Sequence, residues 1–272
     1  MPVGFPGLFC SSDGAPPDGV AGALCRVREF LLQVRKWVAW APGIDECAGW
    51  SHWSASLAAG KASQPDVAFI PALVRRRLSP ASRLALRVAH DCLGEAPVGS
   101  GVFCSRHGEC NRTLAIFDAV AAGQAVSPTQ FSQSVHNTAA GVFSIERQLQ
   151  IPFTAIAAGA ASGEHGFIEA AGLVAAGQGP VLLVLADDRP VEPFAGFCGT
   201  PEWPFGLALL LETVSDAGLP VLTLQADASV AAGGNVVQAT GAGTDNLLAL
   251  LTGQSVFRLQ ESNGWRWSVH GL

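Results

Sequence analysis

The chain has 272 residues, of which 14% are charged and 49% hydrophobic, with a formal net charge of −6. Average soluble proteins carry roughly 25% charged residues, so this composition excludes an intrinsically disordered chain and provides for a sizeable core. The acidic balance argues against a general nucleic-acid binder or attachment to an anionic membrane, and the absence of Tyr removes tyrosine as a general acid.

In chain order, residues 1–32 read as a flexible N-terminal extension. Pro2, Pro6, Pro16 and Pro17 interrupt any apolar run, and residues 1–19 hold no basic residue to open a signal peptide. Residues 33–40 predict a first strand ending at Ala41-Pro42-Gly43, and 44–59, with Trp50 and Trp53, a short helix. Residues 79–93 predict a helix with Ser79 as N-cap and Pro80 in the first turn. A strand is expected at 101–105 and a helix at 110–122, closed by Gly123. Ser127-Pro128-Thr129 opens a turn, followed by a second apolar helix at 134–149 and, after Pro152, a strand at 153–158. The helix expected at 162–176 starts from Ser162 as N-cap, ends at Gly177, and is apolar nearly all round, which predicts burial on most faces. Strands follow at 181–186, 205–212 and 221–226, then a loop at Gly233-Gly234 and a helical stretch at 245–251. Asn263-Gly264 between 255–262 and 265–270 is a type I′ hairpin signal. Strands alternating with helices predict an α/β fold, with layered helices on a mixed, largely buried sheet. No stretch reaches the roughly 20 apolar residues of a membrane-spanning helix.

The seven cysteines are odd in number and irregular in spacing. They read as reduced thiols of a cytoplasmic protein. Cys104, His107 and Cys110 come close to a metal-ligand spacing but lack a fourth ligand, so no metal is expected.

The informative stretch is 127–188. Ala158-Gly159-Ala160-Ala161-Ser162-Gly163 is a small-residue turn between a strand and a helix, and the helix start offers unpaired N–H groups. It resembles the nucleophile turn Thr-Ala-Cys-x-Ser-Gly of the β-ketoacyl synthases. Val135-His136-Asn137-Thr138-Ala139-Ala140-Gly141 resembles the segment that precedes that turn, and Phe205-Gly206-Leu207-Ala208-Leu209-Leu210-Leu211-Glu212 the strand closing the N-terminal half. The resemblance spans roughly 34–213 and implies a thiolase-like fold, here one half of a duplicated architecture. It divides the chain into the 1–32 extension, a ketosynthase-like N-terminal domain at 33–213, and a short tail at 214–272 carrying the hairpin. Within the superfamily the chain looks most like the chain-length-factor-like proteins of aryl polyene, xanthomonadin and related type II fatty-acid or polyketide systems.

Two departures shape the expected function. Ala160 stands where the family has its nucleophilic Cys, and an alanine forms no thioester. The family's catalytic histidines lie in a C-terminal half that is nearly absent from this sequence. The resemblance therefore implies a subunit without condensation activity of its own, working with a full-length ketosynthase or as a dimer with itself, and needing no cofactor. The acyl substrate would arrive on the phosphopantetheine arm of an acyl carrier protein. Ala160, Ser162, Gly163, His136, Asn137 and His165 are the candidate pocket residues. Arg75, Arg76, Arg77, Arg83 and Arg87 form the one basic cluster and are the candidates for carrier-protein docking, the alternative being a solvated helix face. A rival expectation is an independent hydrolase or decarboxylase acting on carrier-protein thioesters through Ser162, His136 or His165. A purely structural binding role is a third.

Overall fold

A computed structural model describes residues 8–9, 29–43, 64–196, 204–216, 218–226, 247, 251, 260–262 and 265–271. Its strands are β1 (Leu8–Phe9), β2 (Glu29–Trp40), β3 (Ser100–Cys104), β4 (Phe153–Ile156), β5 (Val181–Asp187), β6 (Phe205–Glu212), β7 (Val221–Ala226), β8 (Gln260–Ser262) and β9 (Trp265–His270). Its helices are α1 (Ala72–Arg75), α2 (Pro80–Leu93), α3 (Cys110–Ala121), α4 (Pro128–Ser132), α5 (Thr138–Glu146) and α6 (Ser162–Ala175). None of them is long and apolar enough to cross a membrane.

The strands form one sheet in the order β4-β3-β5-β6-β2-β7-β9-β8, with β1 paired to β2. β3 runs parallel to β4 and to β5. From β5 onward every pairing is antiparallel. The mixed sheet expected from the sequence is therefore present.

The period-2 alternation of the central strands sorts the core into two layers. Val181, Leu183 and Leu185 of β5 face α6, together with Val102, Cys104, Leu207 and Leu209. Leu182, Val184 and Ala186 face the opposite side, where Leu84, Val88 and Ala89 of α2 and Phe143 of α5 cover them. Both faces of β5 are buried, which is why its sequence is a continuous apolar run. Gln33, fully buried in β2, clamps the β6–β7 connection. Its Oε1 accepts the N–H groups of Ser215 and Asp216, each at 3.1 Å, and its amide nitrogen donates to the Asp216 carbonyl.

Most element boundaries follow the sequence. Ser79 caps α2 by accepting the Ser82 N–H at 3.0 Å, and Gly94 ends it at φ +52°. The differences have local causes. β2 begins at Glu29 and pairs with Leu8–Phe9, so strand structure reaches into the segment expected to be an extension. The helix expected from residue 134 begins at Thr138. Val135 instead makes a turn in which its carbonyl accepts both the N–H and the hydroxyl of Thr138, at 3.1 and 2.7 Å. Pro128–Ser132, expected as a turn, closes into the short helix α4, with Ser127 as its cap. Ser162 is not the N-cap of α6. A 3₁₀ turn at Gly159–Ala161 leads into the helix, Ala161 holds the cap position, and Ser162 is the first helical residue. Burial of α6 is one-sided: Glu164, Phe167, Ala170, Ala171 and Val174 point into the core, while His165 and Gly172 are exposed.

In the region expected as a tail, β7 inserts between β2 and β9, and β9 pairs with β8 as the predicted hairpin. Leu247 and Leu251 are helical and buried against the α6-side core. The helix expected at 44–59, the loop at Gly233-Gly234 and the beginning of the 255–262 strand lie outside the described residues.

Candidate functional site

The parallel strands β3, β4 and β5 all point their carboxyl ends at one rim, where ligand sites of open α/β sheets are found. The turn 158–163 leaves this rim from β4. Gly159, at φ +58°, makes the sharp change of direction that an L side chain rarely adopts. Ala160 is exposed at the tip of the turn. Ser162 is buried beneath it. Its Oγ accepts the Ala158 N–H at 3.0 Å and donates to the Gly159 carbonyl at 2.7 Å. The hydroxyl thus holds the turn closed with its own proton committed to a carbonyl.

Gly163 and Gly166 let α6 lie directly on the sheet. A Cβ at 163 would come within 2.7 Å of a Leu185 methyl, and one at 166 within 2.2 Å of Cys104 Sγ. Burial pushes the Cys104 thiol well above its ordinary range, so it is a packed core group and not a nucleophile. His165 is exposed, and its Nδ1 lies 2.9 Å from the Ala161 carbonyl one turn back.

His136 and Asn137 belong to a different neighbourhood. His136 Nε2 lies 3.0 Å from the Ser105 carbonyl, which makes it the donor, and the ring covers Gly108, where any Cβ would come within 2.8 Å of it. It borders a cavity of about 30 Å³ between α2 and the end of β3, with Ser82, Phe103, Ser105, Glu109 and Ala139. Ala160, Ser162, Gly163, Asn137 and His165 do not line that cavity. The sheet separates the α6 residues from it: the cavity opens on the α2 side, whereas α6 packs against the other face. Asn137 is the exposed cap of α5 and makes no side-chain capping bond.

The five arginines divide as well. Arg83 donates to the Arg75 carbonyl at 2.7 Å, and Arg87 engages Asp91 and the Asp66 carbonyl, so these two hold local structure. Arg76 and Arg77 are exposed, and among the described residues neither they nor Arg75 make an ion pair.

Sequence reasoning missed two polar centres on the same rim. Asp187, at the end of β5, gathers three donors onto one oxygen. Its Oδ1 accepts from Ser105 Oγ at 2.7 Å, Arg106 N–H at 2.8 Å and His107 N–H at 3.1 Å. Burial raises the Asp187 carboxyl above its usual range, and the three hydrogen bonds offset part of that effect. Burial also lowers the neighbouring His107, whose Nε2 is enclosed without a hydrogen-bond partner among the described residues. The second centre is Glu109, which accepts from Ser79 and Ser82 hydroxyls at 2.7 and 2.6 Å and pairs with Arg112 at 3.1 Å. It ties the β3–α3 loop to the N-terminus of α2. The Asp-Asp that ends the apolar run 181–186 was the legible signal for the first centre.

Residues 50–268 match the family model described as beta-ketoacyl synthase, N-terminal domain. The chain belongs to this family. Among curated protein sequences none matches significantly. Among solved structures, the chain is similar to a chain of the ketosynthase ApeO in complex with its chain length factor ApeC from Xenorhabdus doucetiae. That match has 27% identity and a TM-score of 0.72, and covers 88% of this chain and 99% of the other. The ishigamide ketosynthase/chain length factor matches at 18% identity and a TM-score of 0.54, over 73% of this chain and 68% of that one. A beta-ketoacyl synthase from Burkholderia phymatum matches at 16% and 0.50, over 68% and 59%. The thiolase-like ketosynthase fold expected from the turn and its flanking strands is thereby established. The family model runs to residue 268 and so takes in β7 and the hairpin, beyond the 34–213 span of the sequence resemblance.

Proposed function

We propose that this ketosynthase-family chain is a non-condensing subunit, chain-length-factor-like, that pairs with a full-length ketosynthase in type II fatty-acid, polyketide or aryl polyene assembly in the cytoplasm. One observation carries the reading. Ala160 sits at the exposed tip of the turn whose sequence resembles the family's nucleophile turn, and a methyl group there forms no covalent acyl intermediate. Among the described residues the surroundings offer no substitute: the Ser162 hydroxyl donates to a backbone carbonyl and makes no hydrogen bond to a histidine, and His136 lies on the other side of the sheet. Similarity to a ketosynthase–chain length factor complex supports the pairing.

The sheet has a surface suited to such a partner. β4 is an edge strand that hydrogen-bonds β3 alone among the described residues. The connection from β3 to β4 carries Phe117, Val120, Phe131 and Val135, all about half exposed or more, which is unusual for large apolar side chains of a monomer. Acyl groups would be delivered on the phosphopantetheine arm of a carrier protein, and Arg75, Arg76 and Arg77 are the cations left to receive its acidic surface.

The test uses the purified chain with and without a full-length ketosynthase from the same organism, given acyl- and malonyl-carrier protein. The subunit reading expects co-purification, no turnover by the chain alone, and product only from the pair. Turnover by the isolated chain that is lost on Ser162→Ala would overturn it in favour of the hydrolase. Replacing Arg76 and Arg77 by Glu should weaken carrier-protein binding about ten-fold, measured by titration, and unchanged affinity would remove docking from that face.

A further inference from the structure

A bulge in β2 brings a cation to the mouth of an apolar cavity. Phe30, Leu32 and Val34 of this strand lie in the α6-side core, whereas Val38 and Trp40 lie in the α2-side core. Strict alternation would keep all of these even-numbered residues on one face. The register shift between Val34 and Lys36 adds one residue, and the phase reverses there. Lys36, Val38 and Trp40 thereby meet α2, where together with Arg87, Val88 and Asp91 they line a cavity of about 210 Å³. Val38, Trp40 and Val88 are buried and form its apolar part. Its mouth is charged. Lys36 Nζ donates to the Asp91 carbonyl at 2.6 Å. Arg87 donates from Nε to Asp91 Oδ2 at 2.5 Å and from Nη1 to the Asp66 carbonyl at 3.1 Å. An ammonium carries three donors and a guanidinium five, so among the described residues these bonds leave both cations with N–H groups for a further acceptor. Lys36 is exposed, and the Arg87 and Asp91 side chains are 25% and 32% exposed, so the charged end reaches solvent. Two cations against one carboxylate leave the lining with a single positive charge.

We infer that this cavity is a binding site for a small amphiphilic carboxylate, with its hydrocarbon body against Val38, Trp40 and Val88 and its head group on Lys36 and Arg87. The inference does not depend on the subunit reading. The cavity lies on the α2 side of the sheet, shares no lining residue with the cavity at Glu109, and includes none of the 158–163 turn. Size, charge and geometry define the ligand class. A dry cavity of roughly 150 Å³ lined by aliphatic and aromatic side chains takes benzene, so about 210 Å³ suits a body somewhat larger than that ring. Asp91 offsets one of the two cations, and the remaining single charge matches a monoanion in preference to a cation or a doubly charged phosphate. The Arg87 fork, held in place by Asp91 and the Asp66 carbonyl, stands ready beside the Lys36 ammonium, and donors of this kind make charge-assisted bonds to carboxylate oxygens. A bound carboxylate ties β2 to the second half of α2, which the Lys36–Asp91 bond already joins.

The experiment is calorimetric titration of the full chain with octanoate, octan-1-ol and octylammonium chloride. Octanoate is expected to bind saturably, one per chain, and at least about ten-fold more tightly than either analogue. Lys36→Gln, a change at an exposed position, is expected to weaken octanoate about ten-fold and to leave the weak binding of octanol as it was. Val38→Phe, which fills the apolar part, is expected to abolish binding of both while circular dichroism stays that of the natural chain. Where that variant does not fold, the charge series on the natural chain and Lys36→Gln decide the matter. Octylammonium binding as tightly as octanoate, no saturation by octanoate at millimolar concentration, or unchanged octanoate affinity in Lys36→Gln would overturn the inference. None of these outcomes bears on the subunit reading, which is measured by co-purification with the ketosynthase.

Discussion

At the scale of single residues, polar side chains at the carboxyl rim do structural work that their reactive chemistry does not reveal. His136 donates to a carbonyl, Ser162 closes a turn, and Asp187 collects three donors on one oxygen. Asp187→Ala leaves a hydroxyl and two N–H groups without an acceptor, and is expected to lower unfolding free energy by about 2–4 kcal/mol. Asp187→Asn retains an Oδ1 for all three donors and should cost less than about 1 kcal/mol in urea titrations at neutral pH. The pH dependence has a definite sign. Because burial raises the folded-state value, the folded protein keeps a proton that the unfolded chain releases above 3.8. Stability from this group is full below that value and is lost as pH rises through the raised one. The Asn variant removes that loss. His90 and His107 act oppositely: burial lowers both, so the folded state binds fewer protons just below pH 6.5, and stability climbs with pH there. Urea midpoints across that interval, with His107→Gln as comparison, should show a shallower climb in the variant.

At the scale of elements, α6 shows how packing overrides an apolar pattern. Its composition suggested burial all round, whereas small residues decide which face meets the sheet. Gly166 admits Cys104 Sγ into contact, so Gly166→Ala is expected to cost about 1–3 kcal/mol by overpacking. Gly172 lies on the exposed side, and a methyl group added there would meet nothing within 4 Å. Gly172→Ala should therefore stabilise by about 0.5–1 kcal/mol through helix propensity and unfolded-chain entropy. Thermal unfolding of the two variants gives opposite shifts if α6 lies on the sheet as described. The late start of α5 has the same kind of cause. The apolar pattern predicts a helix from residue 134, yet His136 is held by the Ser105 carbonyl and Thr138 folds back on Val135. Those bonds join segments distant in sequence, or compete locally with the helix, and periodicity carries no record of them.

At the scale of the whole molecule, the C-terminal strands are structural members of the sheet and not an appendage. Trp267 of β9 is 1% exposed, stacks edge-on to Phe167 of α6 with ring centres 5.1 Å apart, and donates its indole N–H to Glu164 at 3.4 Å. The last strand thus braces the helix that follows the Ala160 turn. Trp267→Ala is expected to cost about 3–5 kcal/mol, read as a lower urea midpoint of the full chain. Phe167→Leu, which keeps most of the volume, should cost visibly less.

The strands 205–212 and 221–226, the capped helix α2, the hairpin and the Ala160 turn were determined by the sequence alone, because each rests on local signals: alternation, an N-cap with its proline, Asn-Gly, and small residues between a strand and a helix. Only the tertiary structure decided that His136 and Ser162 lie on opposite sides of the sheet, that Arg83 and Arg87 are committed to local bonds, and that Asp187 and Glu109 anchor the rim. These relations depend on the order of strands in the sheet and on contacts between residues up to 82 positions apart, as in the Ser105–Asp187 bond, where no periodic pattern reaches.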